Sequence, residues 1–423
     1  MPTITAIHAR EVLDSRGKPT VEVDVTCRNG GFGRALVPSG ASTGQAEALE
    51  LRDGDPSRYD GQGVLRAVTN VNEIIAPALI GMDSTNQSAV DNRLLELDCT
   101  PQKTRLGGNA LLGVSLGVAH AAARTARVPL FEYFNRSYVE ASSESAFSPA
   151  MPLPMINMIS GGLHAGGNLD FQDVLIMPVA APNYAVGLEW AVRVYRRLGQ
   201  LLSDAGYEGR LVGDEGGYGP RLESNQQAVE MVVRAIEAAG LRPAQDVTIA
   251  LDVAATHFYV DGYYRLAAER DARMTSEEMT DRLAGWLDRF PISSIEDPLA
   301  EEDWSGWQTA TRRLGHRVQL VGDDLFATNS ARVKHGIELG AANSVLIKVN
   351  QIGTLTETFR TIETARHAGY SIVVSARSGE TEDTTIAALA VAVAADQIKI
   401  GSIVRSERLA KYNELLRIAE LVC

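Results

Sequence analysis

The segment VQLVGDDLFATNSARVKHGIELGAANSVLIKVN, residues 318–350, decides how the larger part of the chain is read. It opens with a short apolar run that ends in two acids, Asp323 and Asp324, and closes with a second run that carries Lys348. Short β-branched-rich runs bounded by polar residues are the mark of strands buried on both faces. From Asp323 to Lys348 is 25 residues, the length of one strand with its returning helix.

The same rhythm continues in both directions. VLIMP (174–178), LVGDE (211–215), VTIALD (247–252), SSIED (293–297), SIVVSAR (371–377) and QIKIGS (397–402) bring the number of runs to eight. Most are separated by helical patterns. In AVGLEWAVRVYRRLGQLL, residues Val186, Trp190, Val194, Leu198 and Leu201 share one face. Ser224 with Gln227, and Thr275 with Glu278, have the spacing of capping boxes, and Gly240 is placed to stop a helix. Eight such units over about 250 residues predict a (β/α)8-type barrel. A doubly wound sheet is the rival, but the chain has no dinucleotide fingerprint.

Residues 1–137 read as a separate α+β region capping the barrel. TVEVDVTC (20–27) alternates like a strand with one wet face, and helical stretches follow around 63–80 and 108–127. Its loops GGFGRA and SGASTG are rich in Gly but lack the Gly-Lys-Ser/Thr ending of a phosphate loop. YVEASSESAFSPAMPLP, 138–154, reads as a linker, which leaves 155–423 for the barrel.

A net charge of −13 argues against nucleic acid or an anionic membrane as partner. The longest apolar run, Ile386–Ala395, is far short of the roughly 20 residues that cross a bilayer. Three scattered cysteines suit a reducing compartment, so a cytoplasmic protein is expected. Only six of the 40 basic residues are Lys, and two of those, Lys348 and Lys399, sit in apolar strands.

Active sites of such barrels lie at the C-terminal strand ends. Asp252, Glu296, Asp323 and Lys348 fall there, with Glu215, Arg377, Ser378 and Lys399; Asp173 stands just before the first run. One such acid is ordinarily a helix cap or an Arg partner. Three from successive strands repel one another unless a hard divalent cation offsets them, and Mg²⁺ is the usual one. A Lys beside that cation and another Lys is expected to have a lowered pKa and to serve as a base toward a carbon acid. Arg377 with Ser378 could clamp a phosphate. His164, in the Gly-flanked SGGLHAGGN, is open to a structural or a phosphate-contacting role.

The chain resembles the enolase family along almost its whole length, through DSRGKPTVEVDV, VPSGASTG, VGDEGG, SIEDPLAEEDW, LIKVNQIGTLTET, RSGETEDT and RSERLAKYNELLRI. The resemblance implies an N-terminal domain capping a barrel variant, a homodimer or a multiple of one, and the loss of water from 2-phosphoglycerate, a phosphorylated carboxylate. It implies two Mg²⁺, the first on Asp252, Glu296 and Asp323, the second reached by Ser42 with substrate. Lys348 would be the base, Lys399 would bind the substrate carboxylate, and Glu215 would be the acid that helps the hydroxyl leave. Gln172, His164, Arg377 and Ser378 would complete the pocket.

Two positions depart from the family pattern. VVSARSGETEDT (373–384) has Ala376 where the family has His, and FQDVLIM has Asp173 where it has Glu. The resemblance implies that both lie near the leaving-group end. The expectation is therefore an enolising core with altered leaving-group chemistry, such as a carboxyphosphonoenolpyruvate synthase. The alternatives are an ordinary enolase and a non-catalytic binding paralogue.

Overall fold

A computed structural model of the chain describes residues 2–28, 30–41, 44–142, 146–269 and 272–422. Three antiparallel strands, β1 (Ile4–Leu13), β2 (Pro19–Cys27) and β3 (Phe32–Leu36), form a sheet in the order 1-2-3. The helix Gly108–Ala126 lies across it and is buried along most of its length. Small residues let it sit close. A Cβ on Gly113 would stand 2.6 Å from Val23, and one on Gly33 only 2.1 Å from the Gly117 carbonyl.

The barrel strands are β4 (Leu153–Ser160), β5 (Asp173–Met177) and β6 (Thr248–Asp252), then, after a small separate sheet of β7 (Tyr259–Val260), β8 (Tyr263–Leu266) and β9 (Ala272–Met274), β10 (Ile292–Glu296), β11 (Gln319–Gly322), β12 (Ser344–Ile347), β13 (Ser371–Ser375) and β14 (Gln397–Gly401). They close in the order 10-11-12-13-14-4-5-6. All neighbours are parallel except β5, which runs antiparallel to both β4 and β6.

Eight strands were expected and eight close the barrel, but one differs. LVGDE (211–215) is a loop. Gly213 N–H donates to the Gly217 carbonyl at 2.8 Å, Gly216 takes a left-handed φ of +90°, and Leu211 is 65% exposed, so the run has no sheet to bury itself in. The missing strand is LPMINMIS, buried at all but its first residue. Of the expected linker 138–154, Tyr138–Ala141 close the helix Leu130–Ala141, and Leu153–Pro154 open β4. The stripe on the helix Tyr184–Asp204 is turned by one position: Leu188, Ala191, Val194, Tyr195, Leu198 and Leu202 are buried, while Trp190 is half-buried.

The period of two along each strand sorts the barrel interior into layers. At the N-terminal end, the Gln319 amide donates to Ser344, Ser371 and Gln397 at 3.1, 2.8 and 2.9 Å. An apolar layer follows, including Ala250, Val321, Leu346 and Val373. Two residues further along three of these strands come Asp252, Asp323 and Lys348. The charged site is therefore the next inward layer, resting on a dry floor.

The polar stretch after β13 is where the N-terminal region meets the barrel. Ser39 and Gly379 exchange backbone hydrogen bonds at 2.9 Å each, Ser15 N–H donates to the Glu380 carbonyl at 2.7 Å, and Leu36 N–H donates to Asp383 at 3.0 Å. Among the described residues no helix is long and apolar enough to cross a membrane.

The Thr275–Glu278 capping box forms in both directions: Thr275 Oγ1 accepts from Glu278 N–H at 3.2 Å, and Glu278 Oε2 accepts from Thr275 N–H at 2.8 Å. The other expected box is only half made, since Gln227 accepts from Glu223 rather than Ser224. Thr275→Ala should lower unfolding free energy by about 1 kcal/mol, with Thr275→Ser near neutral. A urea titration checks this: equal midpoints for the Ala variant and the parent would contradict it.

Candidate active site

Asp252, Glu296 and Asp323 end β6 and β10 and follow β11, three adjacent staves, and all are buried. Lys399 reaches across from β14. Its Nζ donates to Asp252 Oδ2 at 2.6 Å and to Glu296 Oε2 at 2.7 Å. Lys348 pairs with Asp323 Oδ2. Gln172 Nε2 donates to Asp252 Oδ2 at 3.1 Å, and Gln351 Nε2 donates to Asp323 Oδ1 at 3.0 Å.

Burial and the neighbouring Asp252 push the Glu296 carboxyl well above the usual range. Burial also opposes the charge on Asp323, but Lys348, with Lys399 and Arg377, holds its carboxyl below that range. The two lysines respond in kind. Burial works against their ammonium groups, yet Asp323 raises the pKa of Lys348, and Asp252 with Glu296 raises that of Lys399. The acids here take the lysines as their counter-charges, a balance that a bound cation would change.

Asp252, Glu296, Asp323 and Gln172 have donor chemistry that suits a hard cation. Their donors are all carboxylate or amide oxygens. Among the described residues, Glu296 Oε1 and Gln172 Oε1 are buried with no hydrogen-bond partner. Oxygens so placed cost free energy unless something is bound to them. Ser42, expected at a second ion, lies outside the described residues.

A second cluster occupies the other side of the mouth. Because β5 is antiparallel, its first residues, not its last, lie at this rim, and Asp173 stands opposite Asp252 in register. His164 Nδ1 is 3.1 Å from Asp173 Oδ2, and Nε2 is 3.9 Å from Glu215 Oε1. Asn157 donates to the other Asp173 oxygen. Burial raises the Asp173 carboxyl, and it opposes the charge of His164, which Asp173 and Glu215 nevertheless raise. It also opposes the Glu215 charge, but His164 and Arg408 hold that carboxyl below its usual range. The proton of this cluster therefore rests on the His164–Asp173 side rather than on Glu215.

Ala376 is buried at the end of β13, its N–H donating to the Lys399 carbonyl at 2.8 Å. A methyl group there can neither give nor take a proton. Arg377 turns to Glu47, with Nη1 to Oε2 at 3.0 Å, and to Asn350 Oδ1 at 2.9 Å. Ser378 Oγ accepts from Ala41 N–H at 2.7 Å and from Arg16 Nη1 at 3.1 Å. Ser378 thus pins the loop that leads to Ser42.

Of the expected residues, Asp252, Glu296, Lys399 and Gln172 are linked by hydrogen bonds, as are Asp323 and Lys348, while His164 stands between Asp173 and Glu215; Arg377 and Ser378 turn toward the N-terminal region. Sequence reasoning missed Glu47, Asn157, Gln351 and Arg408. Glu47 and Gln351 lie within or beside motifs already quoted, but Glu47 meets Arg377 across 330 residues and Gln351 meets Asp323 across 28.

A further acid, Asp324, lies under the N-terminal loop, where a Cβ on Gly44 would be 3.3 Å from its Oδ1. Burial and Asp323 raise its carboxyl to about 8. Asp297 accepts from the backbone N–H groups of Asp323 and Asp324 at 2.9 and 2.8 Å, and burial with Asp324 holds its carboxyl well up.

Two family models match the chain: "Enolase, N-terminal domain" over residues 4–134 and "Enolase, C-terminal TIM barrel domain" over residues 148–423.

The raised Asp324 has a signed consequence for stability. The fold prefers its neutral form, so its contribution is fully present below the unfolded pKa and is lost as pH rises through about 8. In EDTA, Asp324→Asn should therefore gain on the parent between pH 6 and pH 9, by on the order of 1–3 kcal/mol. Denaturation curves at the two pH values check this; a pH-independent difference would contradict it.

Proposed function

The chain belongs to the enolase family, and from that premise we propose that it is a Mg²⁺-dependent enzyme that takes the α-proton from 2-phosphoglycerate or a close analogue and forms an enolpyruvate product by altered leaving-group chemistry. A methyl at 376 is smaller than an imidazole, and on that difference in size the product that suits this end is the one made by a carboxyphosphonoenolpyruvate synthase. The observation that carries the reading is the contrast between two halves of one mouth. Asp252, Glu296, Asp323, Lys348 and Lys399 converge as an enolising core needs, while residue 376 is a buried methyl and the Asp173 carboxylate is engaged by His164 and Asn157.

Asp252, Glu296 and Asp323 would hold Mg²⁺, with Ser42 reaching a second ion. When bound, the metal supplies positive charge against the carboxylates and against the second negative charge that develops on the substrate carboxylate. Lys348, its partner Asp323 then otherwise engaged, accepts the α-proton; the C–H electron pair moves into the carboxylate to give an enediolate. Lys399 hydrogen-bonds that carboxylate. Arg377 meets the phosphate, which must share the guanidinium with Glu47 or displace it. Collapse of the enediolate forms the C=C bond and expels the group at the β-carbon with its electron pair. With an alanine at 376, proton delivery to that group falls to His164, beside an ionised Glu215.

A second reading, ordinary enolase, is favoured by the 3.9 Å approach of His164 to Glu215, which leaves one proton donor at the leaving-group end. A non-catalytic binding paralogue is the third. A cytoplasmic homodimer, or an even multiple of one, completes the proposal.

Purified protein with Mg²⁺ and 2-phosphoglycerate in D₂O should exchange the α-proton, seen by NMR, faster than it forms the enol product, seen by absorbance. Lys348→Ala should slow the exchange roughly 10²–10⁴-fold. The double variant Ala376→His, Asp173→Glu should raise dehydration about tenfold or more. Full turnover by the parent would establish the ordinary enolase instead. Neither exchange nor a Mg²⁺-dependent rise in melting temperature would leave the binding paralogue.

A further inference from the structure

Arg408 lies in the first turn of the helix Ser406–Val422 and is fully buried. Its Nη1 donates to the Arg377 carbonyl at 2.6 Å and to the Ile400 carbonyl at 2.9 Å, and its Nη2 donates to the Ser378 carbonyl at 2.6 Å. One guanidinium thus ties the segment after β13 to β14. It also faces the loop that carries Glu215: Nη1 is 4.0 Å from Glu215 Oε1, and Ser402 N–H donates to the Glu215 carbonyl at 2.9 Å. Packing at this junction leaves no slack. A Cβ on Gly401, whose φ is +112°, would stand 3.0 Å from both Arg408 Cδ and the Glu215 carbonyl.

A buried guanidinium whose nearest carboxylate oxygens are 3.7 Å (Glu407) and 4.0 Å (Glu215) away is costly. An apolar side chain would fill the same volume without that cost. What the guanidinium adds is direction, because its N–H groups lie in one plane at fixed angles. The carbonyls it grips belong to Arg377, whose side chain turns toward Glu47 and Asn350, and to Ser378, whose hydroxyl pins the N-terminal loop. Those two residues have no strand to hold them, since β13 ends at Ser375.

We propose that Arg408 is a positioning residue that sets the Arg377–Ser378 arm against the Glu215 loop, so that the anion-binding side of the mouth is held independently of the carboxylates on β6, β10 and β11. The proposal rests on the reading of Arg377 as an anion clamp. It predicts that loosening Arg408 weakens one half of the site and spares the other.

The test uses full-length Arg408→Lys, which keeps a cation but loses the planar fork, and Arg408→Gln. Tyr412→Phe, on the same helix as Arg408, loses a single 2.8 Å bond to the Gly401 carbonyl of β14 and is the control. Calorimetry measures inorganic phosphate in the presence of Mg²⁺, and Mg²⁺ alone. Hydrogen exchange is read at the amides of Ala376, Arg377 and Gly379, which are bonded to the Lys399 carbonyl, Glu380 Oε1 and the Ser39 carbonyl, and at those of β6.

Arg408→Lys should weaken phosphate about tenfold, the loss of roughly one charge-assisted hydrogen bond. Mg²⁺ affinity should stay within about twofold. Exchange should accelerate at 376–379 and not at β6, and Tyr412→Phe should change neither affinity. Unchanged phosphate affinity overturns the proposal, as does a parallel loss of phosphate and Mg²⁺, or exchange that rises everywhere alike. If the parent itself binds no phosphate, the clamp reading of Arg377 fails, and the exchange pattern alone decides: acceleration confined to 376–379 upholds the positioning role, and any other pattern ends it.

Discussion

The site exists because a closed barrel forces three carboxylates from adjacent staves into one dry layer. Asp252, Glu296 and Asp323 stand above an apolar floor, too far from water for the solvent to share their charge. Counter-charge must come from within, and it comes from Lys348, on the stave next to that of Asp323, and from Lys399 across the barrel on β14. Closure and charge balance are therefore one problem. A barrel that failed to bring β14 opposite β6 and β10 would leave two acids unpaired, and removing either lysine leaves the same defect, which is far more costly than losing the pair as a whole.

That balance also accounts for the lysine chemistry. A buried Lys is ordinarily driven toward its neutral form, yet both lysines here are held charged by the acids they touch. An amine in that state is a poor base. Whatever takes the charge of the carboxylates releases the amine, so cation binding and base activation follow from the same contacts. The two orphaned oxygens, Glu296 Oε1 and Gln172 Oε1, mark the positions from which such a cation could be held without first breaking a hydrogen bond.

Much of this was legible in the sequence because strand residues alternate. Asp323 stands two residues beyond Val321, Lys348 two beyond Leu346, and Asp252 two beyond Ala250, so the parity that fills the floor also aims the charges. Parity fails where direction changes. VLIMP is a strand, but it runs antiparallel, and so Gln172 and Asp173 reach the rim from its start rather than its end. LVGDE has the composition of a buried run and is a Gly-closed loop, while LPMINMIS, hidden behind a Ser- and Pro-rich segment, is the strand. Nothing local could reveal Glu47 on Arg377 or Arg408 beneath it. Those contacts join parts of the chain that only the docking of the N-terminal region and the last helix brings together.

The two departures from the family pattern are not equivalent in physical terms. Ala376 removes a group outright, and its neighbours close around a methyl. Asp173 keeps a carboxyl group but draws it back toward β5, where His164 and Asn157 take up both oxygens. A carboxylate engaged on both oxygens orients an imidazole rather than meeting a ligand itself. With Nδ1 facing Asp173, the free edge of His164 points toward Glu215, whose carboxyl is held ionised by that imidazole and by Arg408. The leaving-group end is thereby reduced to one imidazole between two acids, while the proton-abstracting end across the barrel keeps its full set of charges.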